Sequence, residues 1–262
     1  MSSEQTPETH DTSNTPGTTP GTDPARTDPA RTDPRELGRA TRAKLVEAAT
    51  RAFAEHGAFN ASLLDITRQA GQRNRGAVHY HFGSREKLLA AVLEQHADFL
   101  AERELRLLEV ARSRPVTDLA SAVEPAVRPM VELAGTGWRG RCYPVILGEL
   151  VAEEVLDEEP DLRTAVEHSG GYAVFELIAQ RMPPMSEALL RERLSLFSGF
   201  ALRAIGDRSR ALDRAERGEA GPHHRPQLDE DGFVANLVGM SVAMLTAPVP
   251  DPEPAFLADP TG

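Results

Sequence analysis

The chain has 262 residues and a net charge of −11, from 29 Lys+Arg against 40 Asp+Glu, with 40% hydrophobic and 5% aromatic residues. That length allows one or two domains, and the acidity excludes an even basic coat for nucleic acid, though not a local basic patch. A single cysteine, Cys142, excludes an internal disulfide framework and a thiolate-rich zinc site.

Residues 1–34 are rich in Thr, Pro, Gly and Asp and repeat the unit Thr-Asp-Pro-Ala-Arg from Thr22 and again from Thr27. Such a segment has little apolar surface to offset its ordering entropy, so a disordered tail is expected. Residues 1–20 show no basic start followed by an apolar run, so no secretory signal is expected. From Arg35 to Arg114 there is no proline, which permits uninterrupted helices. The spacing of Leu45, Ala48, Ala49, Ala52 and Phe53 predicts a helix over Thr41 to His56, stopped by Gly57. Ser62 with Asp65 reads as an N-cap pattern opening a short helix to Ala70. After a turn at Gly71, Asn74 is expected to cap a second short helix to Phe82. Ser84 then caps a long helix whose apolar face runs from Leu88 through His96 to Leu107.

Beyond Pro115, helices are expected near 116–134, 141–156, 161–181, 186–213 and 229–246, with breaks at Pro160, Pro183-Pro184 and the stretch 218–226. Phe233 to Val249 is uncharged but holds Asn236, Gly239, Ser241, Thr246 and Pro248. It reads as a buried helix rather than a membrane span. Residues 248–262 read as a second flexible tail. No stretch alternates as a strand would. The expected fold is all-α, with a three-helix head over 35–99 and a helical-bundle body over 100–247.

Two short helices around a glycine turn, after a longer helix, make a helix-turn-helix. The run from Thr41 to Leu93 resembles the DNA-binding head of the TetR/AcrR family of bacterial transcriptional regulators. The residues that carry the resemblance are Thr41-Arg-Ala-Lys-Leu-Val-Glu-Ala-Ala-Thr-Arg-Ala-Phe-Ala-Glu-His-Gly57, then Ala61-Ser62, Asp65-Ile66, Ala70-Gly71, Gly76-Ala-Val-His-Tyr-His-Phe82 and Ser84-Arg-Glu-Lys-Leu-Leu89. The turn Gly71-Gln-Arg-Asn74 is one residue longer than the family's usual one. His79 stands where Tyr is usual, Ala61 where Thr is frequent, and Thr67 where Ala is.

At about 100° per residue, Val78 and Phe82 share one face, which should be buried. The other face then holds Gly76, Ala77 and Tyr80, with His79 at its flank and Arg73 on the turn. Ala77 suits contact with a thymine methyl, while Gln72, Arg73 and Arg75 can reach base edges. Asn74, at the start of this helix, is counted among the DNA-facing residues. Arg42, Ser62 and Arg85 sit near helix N-termini, where phosphate contact is favoured. The resemblance implies phosphate contacts for Tyr80 and His81. Residues 35–90 hold ten basic and five acidic residues, whereas both flanking regions are acidic. A basic head on an acidic body suits a protein that meets DNA at one end.

In the body the resemblance is architectural and implies a ligand cavity and dimerisation through the last two long helices. Candidate cavity residues are Met130, Trp138, Tyr143, Tyr172, Phe175 and Met182. Candidate dimer residues are Leu194, Phe197, Phe200, Ala201 and Ala204 in one stripe, and Leu237, Gly239, Ser241 and Met244 in another. No cofactor and no metal is expected: His79 and His81 point apart on a helix, and His223-His224 falls in a loop. The expected function is a cytoplasmic, nucleoid-associated homodimeric repressor, released from a palindromic double-stranded DNA operator by a small-molecule effector, with no membrane partner. An activator with the same head is the alternative. No Gly-rich phosphate loop or nucleophile elbow supports an enzyme.

Overall fold

The computed structural model describes residues 33–219 and 226–249. Among these residues the chain is all-α, with no strand. The expected tails 1–34 and 248–262, and His223-His224, lie almost wholly outside the described residues.

Helix α1 spans Pro34–His56, seven residues earlier than its apolar spacing suggests. Asp33 accepts the Arg35 N–H at 2.9 Å and Pro34 occupies the first turn, so polar capping starts the helix before its core-facing stripe begins. Arg35 and Arg39 therefore lie on α1. Helix α2 spans Leu63–Gln69, with Ser62 accepting the Asp65 N–H at 3.2 Å, and α3 spans Ala77–Phe82.

The long helix expected from Ser84 is broken. Helix α4 covers Arg85–Glu94 and α5 covers Ala97–Arg112. The Gln95 amide donates to the Val92 carbonyl and to the Thr50 hydroxyl of α1, both at 3.1 Å, and His96 leaves the helical region with φ −117° and ψ 1°. A side chain anchored to another helix makes this break, and no glycine or proline marks it.

Helix α6 spans Leu119–Gly135, and α7 spans Trp138–Ala152. The two approach so closely that a Cβ at Gly140 would lie 1.9 Å from the Leu133 carbonyl oxygen. A single turn, α8 (Val155–Glu158), leads to α9 (Pro160–His168) and α10 (Tyr172–Arg181). The single helix expected over 161–181 is thus two. Gly170 and Gly171 separate them with φ of 99° and 100°, which an L side chain rarely adopts. Helices α11 (Glu187–Glu216) and α12 (Glu230–Leu245) complete the body, capped by Ser186 and Asp229.

Two apolar clusters hold these elements. One joins α1–α4 of the head to α7 and α9, through Leu45, Phe53, Ile66, Leu88, Leu89, Ile146, Leu150 and Leu162. The other joins α6, α10, α11 and α12 around Val127, Ile178, Phe197, Ile205 and Leu237. Helix α7 therefore packs beneath the head while belonging to the body. No helix among the described residues is long and apolar enough to cross a membrane.

Candidate nucleic-acid interface and body cavity

The turn between α2 and α3 is built by Asn74, whose Oδ1 accepts the Gly76 N–H at 2.9 Å. Asn74 thus closes the turn ahead of the helix, and Gly76, which has no side chain, takes the N-cap position expected for it. Val78 and Phe82 are buried, as their spacing predicts. Ala77 is buried too, at 4% exposure, which corrects its expected place on the DNA side. Counting 100° per residue, positions 77, 78 and 82 span one continuous arc, and that arc faces the core. The exposed arc is left to Gly76, His79 and Tyr80, with Tyr80 83% exposed and its ring edge-on to His81 at 5.0 Å.

Around this arc lie unneutralised cations. Arg73 and Arg75 are exposed and form no ion pair among the described residues. Arg42 reaches from α1 over the Phe82 ring, 4.7 Å from its centroid, which fixes this face of α1 against the end of α3. Arg35, Arg39 and Arg42 recur at four and three residues, so they fall within about 60° of one another. They continue the line of Val46, Ala49 and Phe53, the buried side of α1, past the end of the core. Other expected contacts have internal partners. Arg85 donates to the Ala58 carbonyl at 3.0 Å and fastens α4 to the α1–α2 loop. The Gln72 amide donates to the Ala70 carbonyl at 3.3 Å, and the Ser62 hydroxyl caps α2.

A cavity of about 180 Å³ opens in the body between α5, α6, α7, α10 and α11. Met130, Tyr143 and Phe175 line it, three of the six aromatic and methionine candidates. The others lie elsewhere. Tyr172 is 86% exposed, Met182 is packed in the second apolar cluster, and Trp138 is covered by the guanidinium groups of Arg51 and Arg139 at 4.4 and 4.9 Å. Sequence reasoning missed Glu104, Ser169 and the Gly170-Gly171 corner, all in the wall. The glycine pair was a visible signal; Glu104 on an otherwise amphipathic helix was not.

Tyr143 donates to the Ser169 hydroxyl at 3.1 Å, and burial pushes its phenol up to about 12. His96, at the α4–α5 break, sits edge-on to Tyr143 at 5.9 Å. Burial, assisted by Arg139, holds its imidazole below the usual histidine range.

The dimer candidates are also redistributed. Phe197, Ala201, Leu237 and Ser241 are buried within the protomer, and the first two line the cavity. Leu194, Phe200, Ala204 and Met244 are half-buried against the same cluster, while Gly239 is exposed. An apolar stripe serves equally for a protomer's own core and for a partner, so spacing alone did not separate them. Among the described residues no group of three His, Cys, Asp or Glu side chains is placed to hold a metal ion.

Residues 45–92 match the profile of the bacterial regulatory proteins of the tetR family. The head is thus similar to the DNA-binding region of the TetR family. Over 74 residues it is 39% identical to the HTH-type transcriptional repressor AcnR of Corynebacterium efficiens, covering 28% of this chain and 39% of that protein. Over 60 residues it is 40% identical to the HTH-type transcriptional regulator TtgR of Pseudomonas putida, covering 23% and 28%. The chain thus matches about a third of the length of these curated relatives. A solved structure of the transcriptional regulator FadR from Bacillus subtilis in complex with stearoyl-CoA resembles 77% of the chain and 98% of its own, at 12% identity and a TM-score of 0.42.

Proposed function

We propose that this chain is a homodimeric transcriptional repressor with a TetR-type head, which releases a palindromic DNA operator when a small molecule enters the body cavity. The observation that carries this reading is the exposed face of α3. His79 and Tyr80 project from it beside Arg42, Arg73 and Arg75, none of which has an acidic partner among the described residues. Backbone and side-chain groups there meet phosphates, and the unpaired guanidinium groups read base edges. With the buried Ala77 withdrawn, Tyr80, Arg73 and Arg75 are the residues assigned to this contact.

A second copy would cover the outer face of α11 and α12. Ala235, Gly239 and Ala243 on α12 are exposed and spaced four apart, Met240 of the same helix is exposed, and so is Leu196 on α11. Small residues at that spacing let two helices approach closely, and a two-fold pairing sets two heads on successive major grooves. A reporter placed under DNA bound by the chain tests the sign of regulation: expression falls when the chain is produced, whereas a rise identifies an activator. Met240→Glu, read by sedimentation, should give monomers; a dimer that survives it places the interface elsewhere.

A further inference from the structure

The wall of the body cavity is mostly apolar, with three hydroxyls and the carboxylate of Glu104. Glu104 is the one charged side chain lining it among the described residues, and no Lys, Arg or His does. The neighbouring Arg103 is turned to Glu132 at 3.2 Å. The hydroxyls in the wall are already committed as donors. Tyr143 donates to Ser169, Ser169 donates to the Ala165 carbonyl at 3.2 Å, and Ser198 donates to the Leu194 carbonyl at 2.9 Å. The wall therefore offers an incoming molecule one carboxylate and almost no donor.

That carboxylate is held by the α9–α10 corner. Its Oε1 accepts the Gly171 N–H at 2.7 Å, and a Cβ on Gly170 would lie 2.7 Å from either carboxylate oxygen. The glycine backbone fits closely around Glu104 and leaves the remaining lone pairs for a ligand. Burial raises its pKa above the usual carboxylate range, partly opposed by the Gly171 N–H. A carboxylate half-removed from water without a cation is costly, and a bound ammonium relieves that cost. A carboxylate or phosphate ligand would meet repulsion and find no cation.

We propose that the cavity takes a small lipophilic amine, its ammonium on Glu104 and its hydrocarbon against Leu100, Pro129, Phe175 and Phe197. The volume of about 180 Å³ is below the roughly 300–1,000 Å³ of sites for drug-sized molecules, which limits the ligand to a fragment such as a single ring with a short chain. This rests on the reading of the cavity as the effector site. The test uses the full chain and three near-isosteric probes: 2-phenylethylamine, 2-phenylethanol and 3-phenylpropanoic acid. Calorimetric titration should show the amine binding about tenfold tighter than the alcohol, as a charge-assisted contact does over a neutral one, and no binding of the acid. Glu104→Gln should abolish the preference for the amine, bringing its affinity down to about that of the alcohol. Equal binding of acid and amine, binding of none of the three, or an amine preference that survives Glu104→Gln overturns the proposal. DNA binding is measured on the same preparations. A chain that binds DNA without preferring the amine loses only the ligand class, whereas one that binds no DNA loses the regulator reading.

Discussion

Glu149 of α7 accepts the Ala58 N–H of the α1–α2 loop at 2.9 Å, so a body helix holds the head by a charged hydrogen bond. Arg85 takes the other side of the same residue, donating to the Ala58 carbonyl. Helix α7 also contributes Tyr143, Leu147 and Val151 to the cavity wall. One rigid element thus touches both the cavity and the loop that seats α2. The break at Gln95-His96 means that α4 and α5 do not form one continuous lever, so the cavity wall meets the head through packed neighbours, α7 and also α9, which contributes Val166 to the wall.

Removing that bond should be felt in the head. A hydrogen bond to a charged acceptor contributes about 1.5–3 kcal/mol, so Glu149→Ala should lower unfolding stability by an amount in that range. Glu149→Gln, which keeps an acceptor, should lose less. Thermal unfolding of the two variants checks this; equal stability of Glu149→Ala and the parent would show that the contact carries no energy.

The two sides of the DNA contact should separate by mutation. Tyr80→Ala should weaken binding to every sequence alike, because an exposed phenol on phosphate carries no base information. Arg73→Ala should relax preference at particular positions by about 1–3 kcal/mol. Titration against single-base variants of a bound site distinguishes them. A uniform loss in Arg73→Ala would make Arg73 a phosphate contact.

Arg35 and Arg39 extend the basic face of α1 beyond the helix-turn-helix. If each meets a phosphate, replacing one with Ala should reduce the slope of log affinity against log salt by about 0.9. The Arg35→Ala, Arg39→Ala double variant should lose about twice that and keep its sequence preference. An unchanged slope would show that this face stays in solvent.

Cys142 is buried, and burial is the main reason its thiol rises to about 12 from 9.0. The folded state therefore favours the neutral thiol. This contribution is fully present below the unfolded pKa near 9 and is lost as pH rises from there toward about 12. The native chain at pH 8 should resist iodoacetamide, while the urea-unfolded chain is alkylated. Rapid native labelling would contradict the burial.

Much of the head was legible in its local chemistry. Ser62, Ser84 and Gly57 mark helix ends by side-chain capping or by absence of a Cβ, and these signals act within a few residues. Val78 and Phe82 declared the buried side of α3, but Ala77 did not, because alanine is neutral between core and surface. The α4–α5 break was unreadable since it depends on Gln95 meeting Thr50, 45 residues away. The body was read less well for the same reason. Phe197 and Ala201 show a helical stripe whether they face a cavity or a second subunit, and Glu104 resembles any solvent-facing acid until Gly170 and Gly171 are folded around it.

The central claim is sequence-specific DNA contact through the exposed arc of α3 in a two-fold dimer. The most direct measurement is selection of bound sequences from a random pool of duplex DNA by the full chain, repeated with Tyr80→Ala. The account predicts enrichment of a palindrome whose half-sites lie about one helical turn apart, with the same sequence preference but far less DNA recovered by the variant. A parent chain that enriches no sequence, or a Tyr80→Ala variant that recovers as much DNA as the parent, would contradict it.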